Sequence, residues 1–211
     1  MSGTSGSIPT LSGFTAGDIV VSVVGGADAT QAGIAPDNAA SPITLEEIDP
    51  TTGAVIGEMV LPQTASGANN PISGEYGSSS EGTLQRAGNG QSLVIAGYAV
   101  NATAFNEGGA AVYGNAALGQ STSLSDSSYT PVARVVADIS YDGTVDTSTA
   151  LFNVYNVNNP RSVTTVDGVV FYLGGQGNKD VTQGVYEAAD GASSATAIDT
   201  ANDVRDVEIY N

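Results

Sequence analysis

Two of the chain's five basic residues, Arg161 and Arg205, each lie six residues before a turn residue, Asp167 and Asn211 respectively. In an intervening segment Glu81 and Arg86 flank the corresponding stretch. Guanidinium groups that recur at one position can hold an anionic ligand by bidentate pairing if the strand carrying them lines an open space. The same groups can instead pair with acids such as Glu81 or Asp206 and fix structure. Arg161, Arg205, Arg86 and Glu81 are therefore the candidate ligand-binding residues.

Asp142, Asp167 and Asp190 each precede a glycine. A carboxylate on such a loop, with neighbouring carbonyls, could take Ca²⁺, but the dense alternation of oxygen ligands in a Ca²⁺ loop is missing, so no cofactor is expected and Ca²⁺ is the one alternative. Asp-Gly is also ordinary turn chemistry. A glycosidase-type acid pair could be drawn from the 22 acidic residues, but its defining separation is a spatial quantity. Tyr98, Tyr113, Tyr129, Tyr155 and Tyr186 offer either a carbohydrate-stacking platform or strand packing, and Asn101-Ala-Thr103 fits a glycosylation acceptor.

Composition excludes more than it assigns. The chain has no cysteine and no histidine, which removes disulfides, thiolate metal sites, and Ser-His-Asp and Cys-His catalysis. Five basic against 22 acidic residues give a net charge of −17, a field that repels phosphate backbones and anionic headgroups, so nucleic acid is not an expected partner. Apolar runs reach about seven residues, far below the roughly 20 of a membrane-spanning helix, so membrane insertion is not expected. Met1–Ser7 carry neither the basic start nor the apolar stretch of a secretory signal.

The elements that must position these residues are strands. Asp18–Gly25, Ser92–Gly97 and Val169–Gly174 are near-continuous apolar runs ending in glycine, and those glycines are 72 and 77 residues apart. Such runs predict strands buried on both faces. Asn89-Gly90 and Asp167-Gly168 precede the second and third runs and predict tight hairpins. Alternating segments follow each run, Ile43–Ile48, Val135–Ile139 and Gly184–Ala188, predicting strands with one wet face. No stretch keeps a helical apolar stripe free of glycine, so no helix is predicted.

The expected fold is all-β: β-propeller-like repeats of four-stranded antiparallel meanders, about three blades of an incomplete ring, in approximate units 14–64, 78–151 and 158–200, with the next unit starting at 203–211. A β-sandwich or β-solenoid is the alternative. Terminal strands without partners predict a homo-oligomer or completion by the remainder of a longer parent chain.

Ile43-Thr-Leu-Glu-Glu-Ile-Asp-Pro-Thr-Thr-Gly53, Asn159–Gly168 and Thr182–Asp199 resemble propeller-type repeat regions of large secreted bacterial proteins. The resemblance implies an extracellular or cell-surface location, beside anchoring or hydrolase modules. The expected function is a non-catalytic extracellular structural or surface-assembly module. The alternative is part of a secreted phosphate- or sugar-processing hydrolase, acid- and metal-dependent, whose active site is completed by other segments.

Overall fold

The computed structural model describes residues 8–25, 37–177 and 181–210. Met1–Ser7 and the turn residue Asn211 lie outside them. Three antiparallel meanders follow one another along the chain. The first comprises β1 (Ile19–Val24), β2 (Ala40–Ile48) and β3 (Val55–Val60). After the short β4 (Ser73–Glu75), the second comprises β5 (Gln85–Arg86), β6 (Ser92–Tyr98) and β7 (Arg134–Ser140), with β8 (Val145–Asp146) and β9 (Ala150–Leu151) both lying along β7. The third is β10 (Pro160–Thr165), β11 (Val170–Gly175), β12 (Gly184–Ala189) and β13 (Thr196–Asp199).

The hairpins at Asn89-Gly90 and Asp167-Gly168 use one device. Gly90 and Gly168 take φ of 72° and 81°. The Asn89 and Asp167 side chains accept hydrogen bonds from the N–H groups of Gln91 (2.8 Å) and Val169 (3.1 Å). Side-chain acceptance two residues on, followed by a glycine free to adopt positive φ, is what makes these dipeptides turn. Gly97 and Gly174 accordingly fall near the ends of equivalent strands, β6 and β11, each the second strand of its meander.

The strands form two open antiparallel sheets, of nine and four strands, and neither closes on itself. The described residues therefore make no propeller ring. The reason lies in β4, which pairs with β2 on one side and, at Ser73 opposite Tyr98, with β6 on the other. It stitches the first two expected blades into one nine-stranded sheet, in the order β1-β2-β4-β6-β7-β8 with β3, β5 and β9 alongside.

Strand alternation divides the core into two seams, because successive side chains point to opposite faces. On one face of the second meander Ile95, Val135, Ala137 and Ile139 meet Ile43, Leu45 and Met59 of the first. On the other, Val94, Ala96 and Val136 meet Val163, Phe171, Leu173 and Tyr186 of the third. β6 is thus buried on both sides, as its apolar run requires. β1 is not: Val20 and Val24 pack on the core, whereas Ile19 is 50% exposed.

One helix, α1 (Ala102–Tyr113), lies between β6 and β7. Asn101 caps it by accepting from the N–H of Ala104 (2.9 Å), and its amide donates to the Gln63 carbonyl (2.9 Å), so this asparagine is committed to a helix start rather than presented as a free acceptor. Phe105 and Ala102 anchor the helix beside Tyr98 and Val132. The pattern was hidden because Gly108-Gly109 interrupts it and Gly109 leaves helical geometry (φ 48°, ψ −147°). Among the described residues no helix is long and apolar enough to cross a membrane.

Candidate functional site: a polar cluster at the end of the second seam

Tyr98 closes β6 and Arg134 opens β7, and the two are directly opposite in the ladder. They share a face with Val94, Ala96 and Val136, so both side chains point toward the third meander. Neither is exposed to solvent, and the Arg134 guanidinium carbon lies 4.8 Å from the centre of the Tyr98 ring, a cation–π contact.

Backbone carbonyls, rather than a carboxylate, satisfy Arg134. Its Nη1 donates to Val132 (2.7 Å), its Nη2 to Ser121 (2.9 Å), Tyr155 (2.9 Å) and Asn158 (2.8 Å), and its Nε also to Asn158 (3.2 Å). A buried cation without such partners would cost several kcal/mol, and the five fixed donors of a guanidinium match a ring of carbonyls that an ammonium cannot. The loop supplying two of them is strained to do so: Tyr155 and Val157 adopt φ of 49° and 52°. Positive φ is unfavourable for side chains of this size, β-branched valine above all.

Two carboxylates complete the cluster. Glu75, at the end of β4, is 8% exposed and accepts from the Gly119 N–H. Burial raises its pKa, against that hydrogen bond and the Arg134 charge. Glu81, half-buried in the loop before β5, accepts from Asn159 Nδ2 and from the Tyr98 hydroxyl (3.3 Å). Burial, then the neighbouring Glu75, pushes its pKa up to about 7, against hydrogen bonds from Asn159, Ser78 and Tyr98. Burial lifts the Tyr98 hydroxyl well above its ordinary value too. The groups converge on Gly119, where a Cβ would lie 2.7 Å from Glu75 Oε2, 3.0 Å from Asn159 Nδ2 and 3.2 Å from the Tyr98 hydroxyl. No larger residue fits there without displacing one of them.

Chemically this is a carboxylate pair that holds a proton near neutral pH, one member half-open to water and a guanidinium behind it. Such a pair can donate or accept a proton. It can equally lock two meanders together, since Asn159 immediately precedes β10.

Of the residues singled out from sequence, Glu81 and Tyr98 belong to this cluster. Arg161 is 4% exposed on β10, ion-paired with Asp203 (Nη1 to Oδ2, 3.0 Å) and donating to Gln176. Arg205 is exposed and lies in no strand, so the two arginines do not occupy matching positions: residues 203–210 lie across the third meander instead of beginning another. Arg86 ends β5, exposed, with one hydrogen bond to the Gly90 carbonyl (3.3 Å). Asp142, Asp167 and Asp190 stand in three separate hairpins. Asp142 accepts from the Thr144 N–H (3.0 Å), which lowers its pKa, and Asp190 accepts from the Thr149 hydroxyl (3.2 Å). Among the described residues no three acidic side chains gather to hold a metal ion. Tyr98, Tyr155 and Tyr186 are buried, packed rather than presented as a platform, whereas Tyr129 is 46% exposed.

Arg134, Glu75 and Asn159 went unmarked in the sequence. Arg134 carried a signal, the single cation inside Val132–Ala137 at a position whose alternate neighbours face a core. Glu75 and Asn159 carried none. No protein-family model matches the chain, and no curated protein matches it.

Proposed function

We propose that the chain is a non-catalytic structural and assembly module of an extracellular or cell-surface bacterial protein, whose stack of meanders is extended, propeller-like, by a second copy or by further chain. One observation carries this reading: the outer face of the third meander takes a cover. Ser162 and Thr164, on the side of β10 turned away from the seam, are buried. A Cβ on Gly174 would lie 2.9 Å from Val204 and 3.1 Å from Val207, and the Val204 N–H donates to the Gly175 carbonyl (3.2 Å). The chain's own segment around Val204 and Val207 thus lies on the outer face of the third meander, which supports reading that face as one built to be covered. The outer side of the first meander, by contrast, shows Ile19, Ile56 and Val60 at 50%, 38% and 55% exposure, with the Glu46–Glu58 pair on the same face, a mixed surface that a specific partner could cover. The −17 charge keeps such a surface from indiscriminate association.

Light scattering on the chain across a concentration and salt series tests this. A mass that rises above the single chain with concentration, and falls when Val60 is replaced by lysine, is the expected result. A monomer at every concentration and ionic strength, with no affinity for added copies, refutes it.

A second reading, part of an acid-dependent hydrolase, is favoured by Glu81 beside Glu75, with a carboxyl pushed up to about 7. Its test is hydrolysis of phosphate-ester and glycoside substrates, abolished in Glu81→Gln.

A further inference from the structure

A cavity of about 620 Å³ opens at the end of the first seam opposite the polar cluster, between the loop leading into β1 and the β5–β6 turn. Its walls are tied together by the backbone. The Phe14 N–H donates to the Tyr141 carbonyl (2.8 Å), and the Tyr141 N–H to the Gln91 carbonyl (3.0 Å). Its apolar lining includes the half-buried Phe14, Val20 and Leu93, over the buried Ile139, and Tyr141, which is 62% exposed. The volume is that of a small-ligand site.

Thr15, Asp18, Arg86, Gln91 and Ser92 line the same space, and three of them, Asp18, Arg86 and Gln91, carry charged or amide side chains. The fold leaves these three largely unused. Arg86 makes one hydrogen bond, at 3.3 Å, to the Gly90 carbonyl, and the Asp18 and Gln91 side chains make none to the described residues. Arg86 and Asp18 do not neutralise each other, since the ion pair among the described residues is Arg161–Asp203. An acceptor, a multiple donor and an amide that is both therefore face an aromatic and apolar wall.

The ligand that answers this set has an apolar face and several neighbouring donor–acceptor groups within a short span. A sugar ring has both: C–H groups that stack on an aromatic face, and adjacent hydroxyls that pair with planar carboxylate, guanidinium and amide groups. One cation and one anion on the wall favour an uncharged ligand, and the −17 field disfavours an anionic one. A metal ion would meet one carboxylate and a guanidinium, a poor donor set. We infer that this cavity binds a short stretch of neutral glycan, with Tyr141 and Phe14 as stacking surfaces and Asp18, Arg86 and Gln91 as hydroxyl partners. This site is independent of the assembly reading and stands or falls without it.

Calorimetric or NMR titration of the full chain with cellotetraose, xylotetraose, mannotetraose and chitotetraose tests the inference, with tetragalacturonate as the charged comparison. At least one neutral tetrasaccharide is expected to bind, and Tyr141→Ala and Arg86→Ala, both at exposed side chains that the core does not need, should each weaken it by about tenfold. Tyr129→Ala, at a partly exposed tyrosine outside the cavity, should leave it unchanged. No binding of any neutral probe at about 10 mM, equal affinity in the Tyr141 and Arg86 variants, or preference for tetragalacturonate would each overturn it.

Discussion

Arg161 of β10 and Asp203, in the segment after β13, meet at 3.0 Å and tie the end of the chain to the third meander. The pair is lopsided: Arg161 is 4% exposed and Asp203 50%. The Arg161 Nε is buried without a partner, so this guanidinium leans on Asp203 and Gln176.

Removing the two partners should therefore have unequal effects. Asp203→Ala strands a buried cation and is expected to cost about 1–3 kcal/mol, whereas the half-exposed Asp203 left by Arg161→Met regains water and the methionine keeps much of the packed stem, for a smaller loss. Urea unfolding of both variants, with limited proteolysis of residues 201–210, checks the order. Equal losses would show that the pair acts through packing alone.

Glu81 sets a pH dependence of known sign. Its pKa is about 7 in the fold, against an ordinary value of 4.5. Between these values the folded state holds the extra proton, so stability falls as pH rises through the window and levels off above it. The full effect is on the order of 3 kcal/mol, with Glu75, raised by burial, acting in the same direction. Glu81→Gln keeps the acceptor oxygen and removes the proton. It should flatten the urea midpoint between about pH 5 and 8 and be the more stable protein at the alkaline end. A wild-type midpoint that rises through this range would contradict the assignment.

Gly97 has no room for a side chain. A Cβ would lie 2.8 Å from both Ile72 Cγ1 and the Ser73 carbonyl oxygen, the latter part of the strand that joins the first two meanders. Gly97→Ala should cost about 1–3 kcal/mol through this overpacking. Gly53→Ala, at a turn with open space around it, isolates the separate cost of positive φ. Chemical denaturation of the two variants distinguishes crowding from backbone strain.

What sequence reading reached and what it missed divide along local and non-local physics. The Asn89-Gly90 and Asp167-Gly168 turns, the run of β6 and the equivalence of Gly97 and Gly174 follow from residues within a few positions of each other. β4 does not: Ser73-Gly74-Glu75 has neither apolar content nor length, and it is a strand because β2 and β6 offer edges on both sides. β1 reads like β6, yet it borders one seam instead of two, which no local pattern discloses. Arg205-Asp-Val-Glu-Ile-Tyr210 resembles the start of β10 but finds no strand to pair with, and pairing rather than propensity makes a strand. Glu81 and Arg86 could be named from their spacing. That Glu81 joins Glu75 and Arg134, and that Arg86 faces a cavity with Asp18, depends on contacts between meanders.

Arg134 is the residue on which most of that non-local structure turns. Four carbonyls, of Val132, Ser121, Tyr155 and Asn158, receive its donors at 2.7–2.9 Å, and two come from the loop held at positive φ by Tyr155 and Val157. Arg134→Ala removes every donor at once and leaves Glu75 and Glu81 without the nearby cation. It should cost about 3–5 kcal/mol, and the Glu81 titration should move further up, since like charges then face each other alone. Arg134→Lys keeps the charge but replaces a planar fork by one ammonium, which cannot reach carbonyls on both loops. It should hold Glu81 near its original pKa while losing part of the stability. Hydrogen exchange at residues 152–159 separates these effects: relaxation of that loop is expected in both variants, strongest in alanine, because its strained backbone is held by the bonds being removed. If exchange there is unchanged in Arg134→Ala while global stability falls, the arginine supports the core alone and the strain is sustained by other contacts.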